Sequence, residues 1–332
     1  MTSKQRRSVI QAIGAGSALA TLGMAPRVHA QALDTVRIVC GFPPGGTSDV
    51  TSRRVGERMR ANGYARNVIV ENRTGAGGQI AVQAMKGAPT DGSMLLMTPA
   101  SMLMMYPHIY RALPYDSFTD VVPASLAVSF EFGFAVGPTV PATVKTVPEF
   151  LAWAKANPAQ ANFGSPGAGS VPHFVGTLLG RSAGVELKHI PFRGSQPAVA
   201  DMVGGNLQSV SAPLGEFLAM AAAGRIRLLG VSGPKRSRFA PNVPTYIEQG
   251  MAGMEYGEWF GFFLPAKTPN DVVDRTNAAL RAALMSQDVI DGVAAMGLES
   301  TPSTPAELGQ RLRRDHDRWG PIVKQIGFTA DS

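Results

Sequence analysis

The stretch 36–49, V-R-I-V-C-G-F-P-P-G-G-T-S-D, constrains the fold more than any other part of the chain. Val36, Ile38 and Cys40 alternate as a buried strand does, and Pro43, Pro44, Gly45 and Gly46 cannot continue it. Ser48 or Asp49 can cap a helix opening just beyond. A strand that turns through such a loop into a helix points several backbone N–H groups at one spot, which favours an anion. The loop carries no Lys or Arg, so a fixed-dipole site for a small carboxylate fits better than a phosphate clamp.

The pattern then repeats. The spacing predicts a helix from Asp49 to about Ala61, ended by Asn62-Gly63, and a short strand over 68–70. The run from Glu71 to Gly78 leads into a helix reaching about Lys86, and Pro89-Thr90-Asp91-Gly92 is a turn. A third strand over 94–97 runs into Thr98-Pro99-Ala100-Ser101 and another helix. Three β-loop-α units in succession indicate an open parallel sheet. Ligands of such sheets bind beyond the carboxyl ends of the strands, which are here the loops holding Thr47, Gly77 and Thr98.

The middle of the chain renews the theme. Thr146-Val147-Pro148-Glu149 is a capping box for a helix over 148–156. Asn162-Phe163 enters the loop 164–170, G-S-P-G-A-G-S, and a helix follows. Strands are expected over 187–192, 208–210 and 226–231, with helices over 196–203 and 213–223. This alternation predicts a second parallel-type sheet, and two sheets across a cleft make a hinged binding protein. Beyond a strand over 259–264 the chain becomes mainly helical. Thr268-Pro269 starts a helix to about Met285, and Thr304-Pro305-Ala306-Glu307 starts a long polar one that Pro321 kinks or ends.

Residues 1–30 contain Lys4, Arg6, Arg7 and Arg27, no acid, and a mildly apolar Gly/Ala-rich run. With Val28-His29-Ala30 at its end, this reads as an export signal peptide with a twin-arginine-like motif, and a soluble periplasmic protein beginning at Gln31, or alternatively at Leu33, is expected. The full chain has 31 basic and 24 acidic residues for a net charge of +7, and the leader's four bases bring the mature chain to +3. The densest basic run, 311–318, is interrupted by Asp315 and Asp317 and reads as a solvated helix face, which argues against a nucleic-acid partner. Cys40 is the single cysteine, so no intrachain disulfide forms, and it reads as a small buried strand residue. The His residues at 29, 108, 173, 189 and 316 show no metal-ligand spacing, and no metal or cofactor is expected.

Rival classes lack their signatures. Gly230-Val231-Ser232-Gly233 is followed by Pro234 where a hydrolase elbow closes with Gly. Gly75-Ala76-Gly77 continues to Ile80 rather than the third Gly of a dinucleotide fingerprint. Residues 41–46 have the Gly spacing of a P-loop, but Thr47 stands where its Lys belongs. A purely structural partner protein remains an alternative.

The segments V-R-I-V-C-G-F-P-P-G-G-T-S-D, V-I-V-E-N-R-T-G-A-G-G, A-P-T-D-G-S-M-L-L-M, L-P-Y-D-S-F, A-N-F-G-S-P-G-A-G-S-V-P-H, I-P-F-R-G-S-Q-P-A-V-A-D-M-V-G-G, V-P-T-Y-I-E-Q-G and W-F-G-F-F-L-P-A-K-T-P, in this order, span nearly the whole mature chain. Together they resemble the Bug family, the extracytoplasmic solute receptors of tripartite tricarboxylate transporters. The resemblance implies an α/β two-domain periplasmic binding protein, a Venus flytrap with a ligand cleft between two parallel-type sheets. It places domain 1 at 31–130 and 258–332 and domain 2 at 131–257. It implies a monomer that binds a small carboxylate without chemistry and delivers it to membrane permease subunits, or an orphan receptor of the same fold that serves ligand sensing or protein-protein signalling.

Carried over residue by residue, the resemblance assigns ligand contact to Phe42, Gly46, Thr47, Ser48 and Asp49 in the first loop. Gly77, Gly78 and Gln79 match the second loop, and Thr98 and Ser101 the third. The facing domain contributes Ser165, Gly167, Ala168, Gly169, Ser170, His173 and Arg193. Gln208 and Ala212 stand where many relatives carry Asp, so an amino-acid ligand is disfavoured, with Gln208 a neutral pocket residue in its place.

Overall fold

The computed structural model describes residues 32–330; the segment 1–30 expected to be an export signal lies outside them. The first strand, β1 (Leu33–Cys40), leads into α1 (Thr47–Ala61), then β2 (Ala65–Asn72), α2 (Gln79–Gln83) and β3 (Met94–Pro99). Gly63, in the left-handed region at φ +80°, turns the chain after α1 as the Asn-Gly pair predicts. Two short helices follow, α3 (Ser101–Met104) and α4 (Tyr106–Ile109). β1 pairs in parallel with β2 on one side and β3 on the other.

A long strand, β4 (Val121–Val136), ties the molecule together. After it come α5 (Val147–Ala156), β5 (Asn162–Ser165), α6 (Val171–Ser182), β6 (Lys188–Pro191), α7 (Ser195–Val203), β7 (Ser209–Pro213), α8 (Gly215–Ala222) and β8 (Arg227–Val231). β9 (Gly257–Pro265), α9 (Asn270–Leu284), α10 (Gln287–Ala294), β10 (Glu299–Ser300) and α11 (Pro305–Ile326) complete the described chain. Both predicted capping boxes form, Thr146 with Glu149 and Thr304 with Glu307.

The strands run in the order β2-β1-β3-β9-β4-β7-β5-β6, with β8 and β10 also on β4. The parallel sets expected from the sequence are present, and antiparallel strands extend both, so the sheet is mixed. β4 uses residues 121–131 to pair antiparallel with β9 and residues 132–136 to pair antiparallel with β7. Its register shifts near Pro123, where a residue without an N–H has no ladder bond to give.

These pairings fix where the strand ends point. β9 is antiparallel to β3 and β4 is antiparallel to β9, so β1, β2 and β3 run in the same sense as β4. β7 is antiparallel to β4, and β5 and β6 are parallel to β7. The carboxyl ends of the two parallel sets therefore face one another. In the order β2-β1-β3 the chain leaves β1 to one side and returns to the other, and β6-β5-β7 does the same. Right-handed crossovers then place successive helices on opposite faces, and a crevice opens at each reversal, between β1 and β3 and between β5 and β7.

One continuous core joins both halves, from Val36 and Ile38 through Phe132 and Phe150 to Phe163 and Phe174. The helix α11 helps close it, burying Leu308, Leu312, Trp319, Val323 and Ile326 at helical spacing. Pro321 does not end this helix, which runs on to Ile326 and is capped by Gly327 at φ +72°. Arg181 of α6 donates to the carbonyl oxygens of Gln325 and Ile326, both at 3.0 Å, satisfying the last turn.

Candidate functional site

The first loop is held by Asp49, not capped by it. α1 begins at Thr47 with Gly46 as N-cap, and no side chain caps its first turn. This corrects the expectation that Ser48 or Asp49 caps the helix. Asp49, at 1% exposure, instead reaches back: its Oδ2 accepts from the Gly45 N–H at 2.9 Å and from Arg53 Nε at 3.0 Å. Asn72 Nδ2 donates to Asp49 Oδ1 at 2.9 Å. Burial works against the ionised carboxylate, but the hydrogen bonds from Arg53, Gly45 and Asn72 outweigh it and hold the group below its ordinary range. Ser48 is likewise turned inward, its Oγ accepting from the Cys40 Sγ–H at 3.3 Å. Burial pushes the Cys40 thiol up and keeps it protonated. Thr47 is half-buried, and Gly46 is exposed at the mouth of the turn. A 15-residue helix without a side-chain cap thus presents its positive end at the carboxyl end of β1.

The second loop packs onto the first. A Cβ on Gly41 would lie 2.9 Å from Gly78 Cα, so the two backbones meet where only glycine fits. The Phe42 ring covers Gly78, 3.4 Å from where its Cβ would be. Gly75, Gly77 and Gly78 all take positive φ, as a loop reversing this tightly requires. Tyr106 donates its hydroxyl to the Gly77 carbonyl at 3.1 Å, and Gln79 is buried beneath. A groove of about 560 Å³ borders Gly77 and Gln79 on one side and Tyr110, Leu113 and Pro114 on the other.

In the third loop Thr98 is buried on β3, and Ser101 is already engaged. Its backbone N–H donates to Glu258 Oε1 at 3.1 Å, and its hydroxyl donates to the same oxygen. Glu258, the second residue of β9, is not among the residues read from the sequence; the acid before Trp259 carries no local motif. It is 6% exposed, and burial pushes its carboxyl up to about 7 despite the two hydrogen bonds from Ser101.

Across the crevice, Ser165, Gly167, Gly169, Ser170 and His173 form one knot. Ser165 Oγ lies 2.8 Å from His189 Nε2 and 3.1 Å from the Gly167 carbonyl, to which Ser170 Oγ also donates at 2.7 Å. Ser170 is the N-cap of α6, accepting from the His173 N–H at 3.3 Å. His173 Nδ1 accepts from the Gly169 N–H at 3.1 Å, and its ring stacks on His189 with centroids 3.8 Å apart. Burial depresses His173 to about 4, and burial plus its neighbour depresses His189 to about 3, so both are neutral at pH 7. Ala168 is exposed at the loop tip.

The two halves touch through this knot. The Cβ position of Gly169 lies 3.2 Å from Phe328 and 3.7 Å from Ile109. Ile109 ends the short helix α4 that begins with Tyr106, so one helix links the second loop to the facing one. The turn 192–194 is laced to the same loop, the Phe192 N–H donating to Ser165 O and the Gly194 N–H to Pro166 O, both at 3.0 Å. Arg193, between them, is exposed.

Gln208 stands apart, which corrects its assignment to the pocket. Its N–H donates to Asn162 Oδ1 at 3.2 Å, and its Oε1 accepts from Asn162 Nδ2. Both residues sit at the amino ends of β7 and β5, the far end of the sheet from the loops. The facing half supplies a different acid: Glu216 begins α8 beyond the carboxyl end of β7, its Oε2 accepting from Gln196 Nε2 of α7. Burial raises the Glu216 carboxyl above its ordinary value.

Facing strand ends, glycine loops and an uncapped helix start define an α/β fold of the periplasmic binding-protein class. The model of the tripartite tricarboxylate transporter family receptors matches residues 51–328, and the chain belongs to that family. It is 32% identical over 323 residues to a UPF0065 protein encoded between tcbD and tcbE in Pseudomonas sp. (strain P51), covering 96% of this chain and 94% of that one. It is 28% identical to BugT of Bordetella pertussis over 94% of this chain and 96% of that one. An R. palustris protein solved with adipate superposes with a TM-score of 0.82 at 26% identity, covering 90% of this chain and 99% of that one.

Proposed function

We propose that this chain is a periplasmic receptor that captures a small organic carboxylate in the crevice between the facing loops and passes it to a two-component membrane permease. The observation that supports this most is the uncapped start of α1 at the carboxyl end of β1, with no lysine or arginine in the loop before it. Backbone N–H groups there suit a carboxylate held by dipoles, and Thr47 adds a hydroxyl at the same turn. On the facing side, Ser165 and Ser170 already donate to the Gly167 carbonyl and the Gly167 N–H donates to Ser165 Oγ, which leaves the exposed Ala168 to offer backbone groups. The ligand undergoes no chemistry.

In this reading the halves divide near Glu131/Phe132, where β4 passes from one set of partners to the other, and near Tyr256/Gly257, where β9 begins. Binding closes the crevice about these two crossings, and the closed form is what the permease accepts. The test is a thermal-shift screen of protein stripped of copurified ligand by unfolding and refolding, against mono- and dicarboxylates, hydroxy acids, amino acids and aromatic acids. A ligand at a hundredfold its Kd adds about 2.7 kcal/mol of stability, a shift of a few degrees. A saturable shift with one class supports the receptor; silence across the panel overturns it.

A further inference from the structure

The resemblance places Ser101 of the third loop at the ligand, but its donors are already taken by an anion of the protein's own. Glu258 Oε1 accepts from both the N–H and the hydroxyl of Ser101. No group among the described residues reaches Oε2, and no basic side chain pairs with this carboxyl. The charged and titratable groups nearby come from three elements. Tyr106 lies on α4, its hydroxyl pushed up mainly by burial and further by the neighbouring Tyr110 and Glu258. Glu131 lies on β4 beside Phe130, the residue paired with Glu258. Asp315 and Arg318 lie on α11. Asp315 accepts from Trp259 Nε1 at 2.8 Å and from Arg311, while Arg318 donates to the Glu255 carbonyl and covers the Tyr256 ring. None forms a hydrogen bond or ion pair with Glu258.

A carboxylate 6% exposed, without a cation, and bordering the crevice intended for another carboxylate is an electrostatic conflict. Protonation resolves it: neutral Glu258 keeps its acceptor for Ser101 and gains an O–H to donate from Oε2. We infer that Glu258 is a specificity-determining residue of the site, and that an anionic ligand is captured together with one proton taken up by this carboxyl. The inference rests on the receptor reading above. That burial already pushes the group up to about 7 in the unliganded protein means that the coupling falls within the neutral range.

The experiment is isothermal titration of the full-length protein and of Glu258→Gln with adipate and then with malate, followed by the wider acid panel, from pH 6 to 8 in two buffers of different ionisation enthalpy. Gln is the neutral isostere of protonated Glu and keeps an acceptor for Ser101 and a donor for the ligand. In the wild type, affinity should weaken as pH rises, approaching tenfold per unit above the carboxyl's own midpoint, with one proton taken up per ligand. In Glu258→Gln that dependence should vanish and binding at pH 8 should be tighter than wild type, which a merely structural role would not produce. An acid bound with pH-independent affinity, or a Gln variant weakened equally at every pH, overturns this inference and leaves the receptor standing. No saturable binding of any acid overturns both.

Discussion

Asn72 Nδ2 donates to Asp49 Oδ1 at 2.9 Å and to the Phe42 carbonyl at 2.8 Å, so the end of β2 clamps the loop that follows β1. Asp49 completes the clamp through the Gly45 N–H. The first loop is thus shaped by buried polar groups that each lean on the others. Asp49→Ala and Asn72→Ala should each destabilise by about 1–3 kcal/mol, because each strands a buried partner. Since both remove the same clamp, the double variant should cost less than the sum, with a coupling above about 0.5 kcal/mol. Urea titrations of the four proteins check this; additive losses would mean that the two residues act separately.

Thr47 and Ser48 are adjacent in sequence and opposite in role. Thr47 is half-buried at the helix start, whereas Ser48 is buried against Cys40. Thr47→Ala should keep stability within about 0.5 kcal/mol of the wild type while weakening the Kd for the acid by severalfold. Ser48→Ala should lower stability by about 1 kcal/mol with little change in Kd. Titration calorimetry beside thermal melts separates the two, and a Thr47→Ala variant with unchanged Kd would refute the placement of the carboxylate at this turn.

Strand-loop-helix units were legible because each carries local signals: alternation in β1, Asn62-Gly63 after α1, and capping boxes at Thr146 and Thr304. The order of the loops along the chain followed from them, whereas the individual facing residues came from the family resemblance. What was not legible depends on partners far away in sequence. Asp49 could be read as a cap because the sequence does not show Asn72 and Arg53 converging on it. Ser101 could be read as free because Glu258 lies 157 residues on. Gln208 was assigned to the pocket by position in a motif, and only strand direction reveals that it sits at the wrong end of β7. The length of β4 was hidden by Pro123, which reads locally as a strand breaker yet falls where the register slips.

Gly41 is required by contact rather than by its own backbone angle. Its Cβ would stand 2.9 Å from Gly78 Cα and 3.1 Å from the Gly78 carbonyl oxygen, both backbone atoms that cannot rotate aside. Gly41→Ala should therefore pry the first two loops apart, destabilising by about 1–3 kcal/mol and weakening ligand binding more than tenfold. Gly45→Ala is a useful contrast, since nothing lies within 4 Å of its Cβ and only its φ of +85° resists the change. It should cost about 1 kcal/mol and leave binding nearly intact. Equal binding losses in the two variants would count against the contact argument.

The stacked pair His173–His189 gives the protein a defined acid sensitivity. Both rings are depressed by burial from 6.5, to about 4 and about 3, so the unfolded chain takes up protons before the folded one does. Their contribution to stability is complete above about pH 6.5 and is lost as pH falls toward 4 and then 3, on the order of 2 kcal/mol per imidazole by about pH 5. Glu258 acts with the opposite sign: its carboxyl, raised to about 7, favours the folded state at low pH and loses that contribution as pH rises through 7. The raw pH profile therefore mixes the two. The difference between wild type and His189→Gln isolates the histidine, since Gln can still form a hydrogen bond with Ser165 but does not titrate. In urea titrations between about pH 5 and pH 7, the wild type should lose stability on acidification relative to the variant, and Asp49, held below its ordinary range, should not contribute until lower pH. Parallel profiles over that window would show that the His189 imidazole titrates alike in the folded and unfolded chains and is not held neutral by its burial.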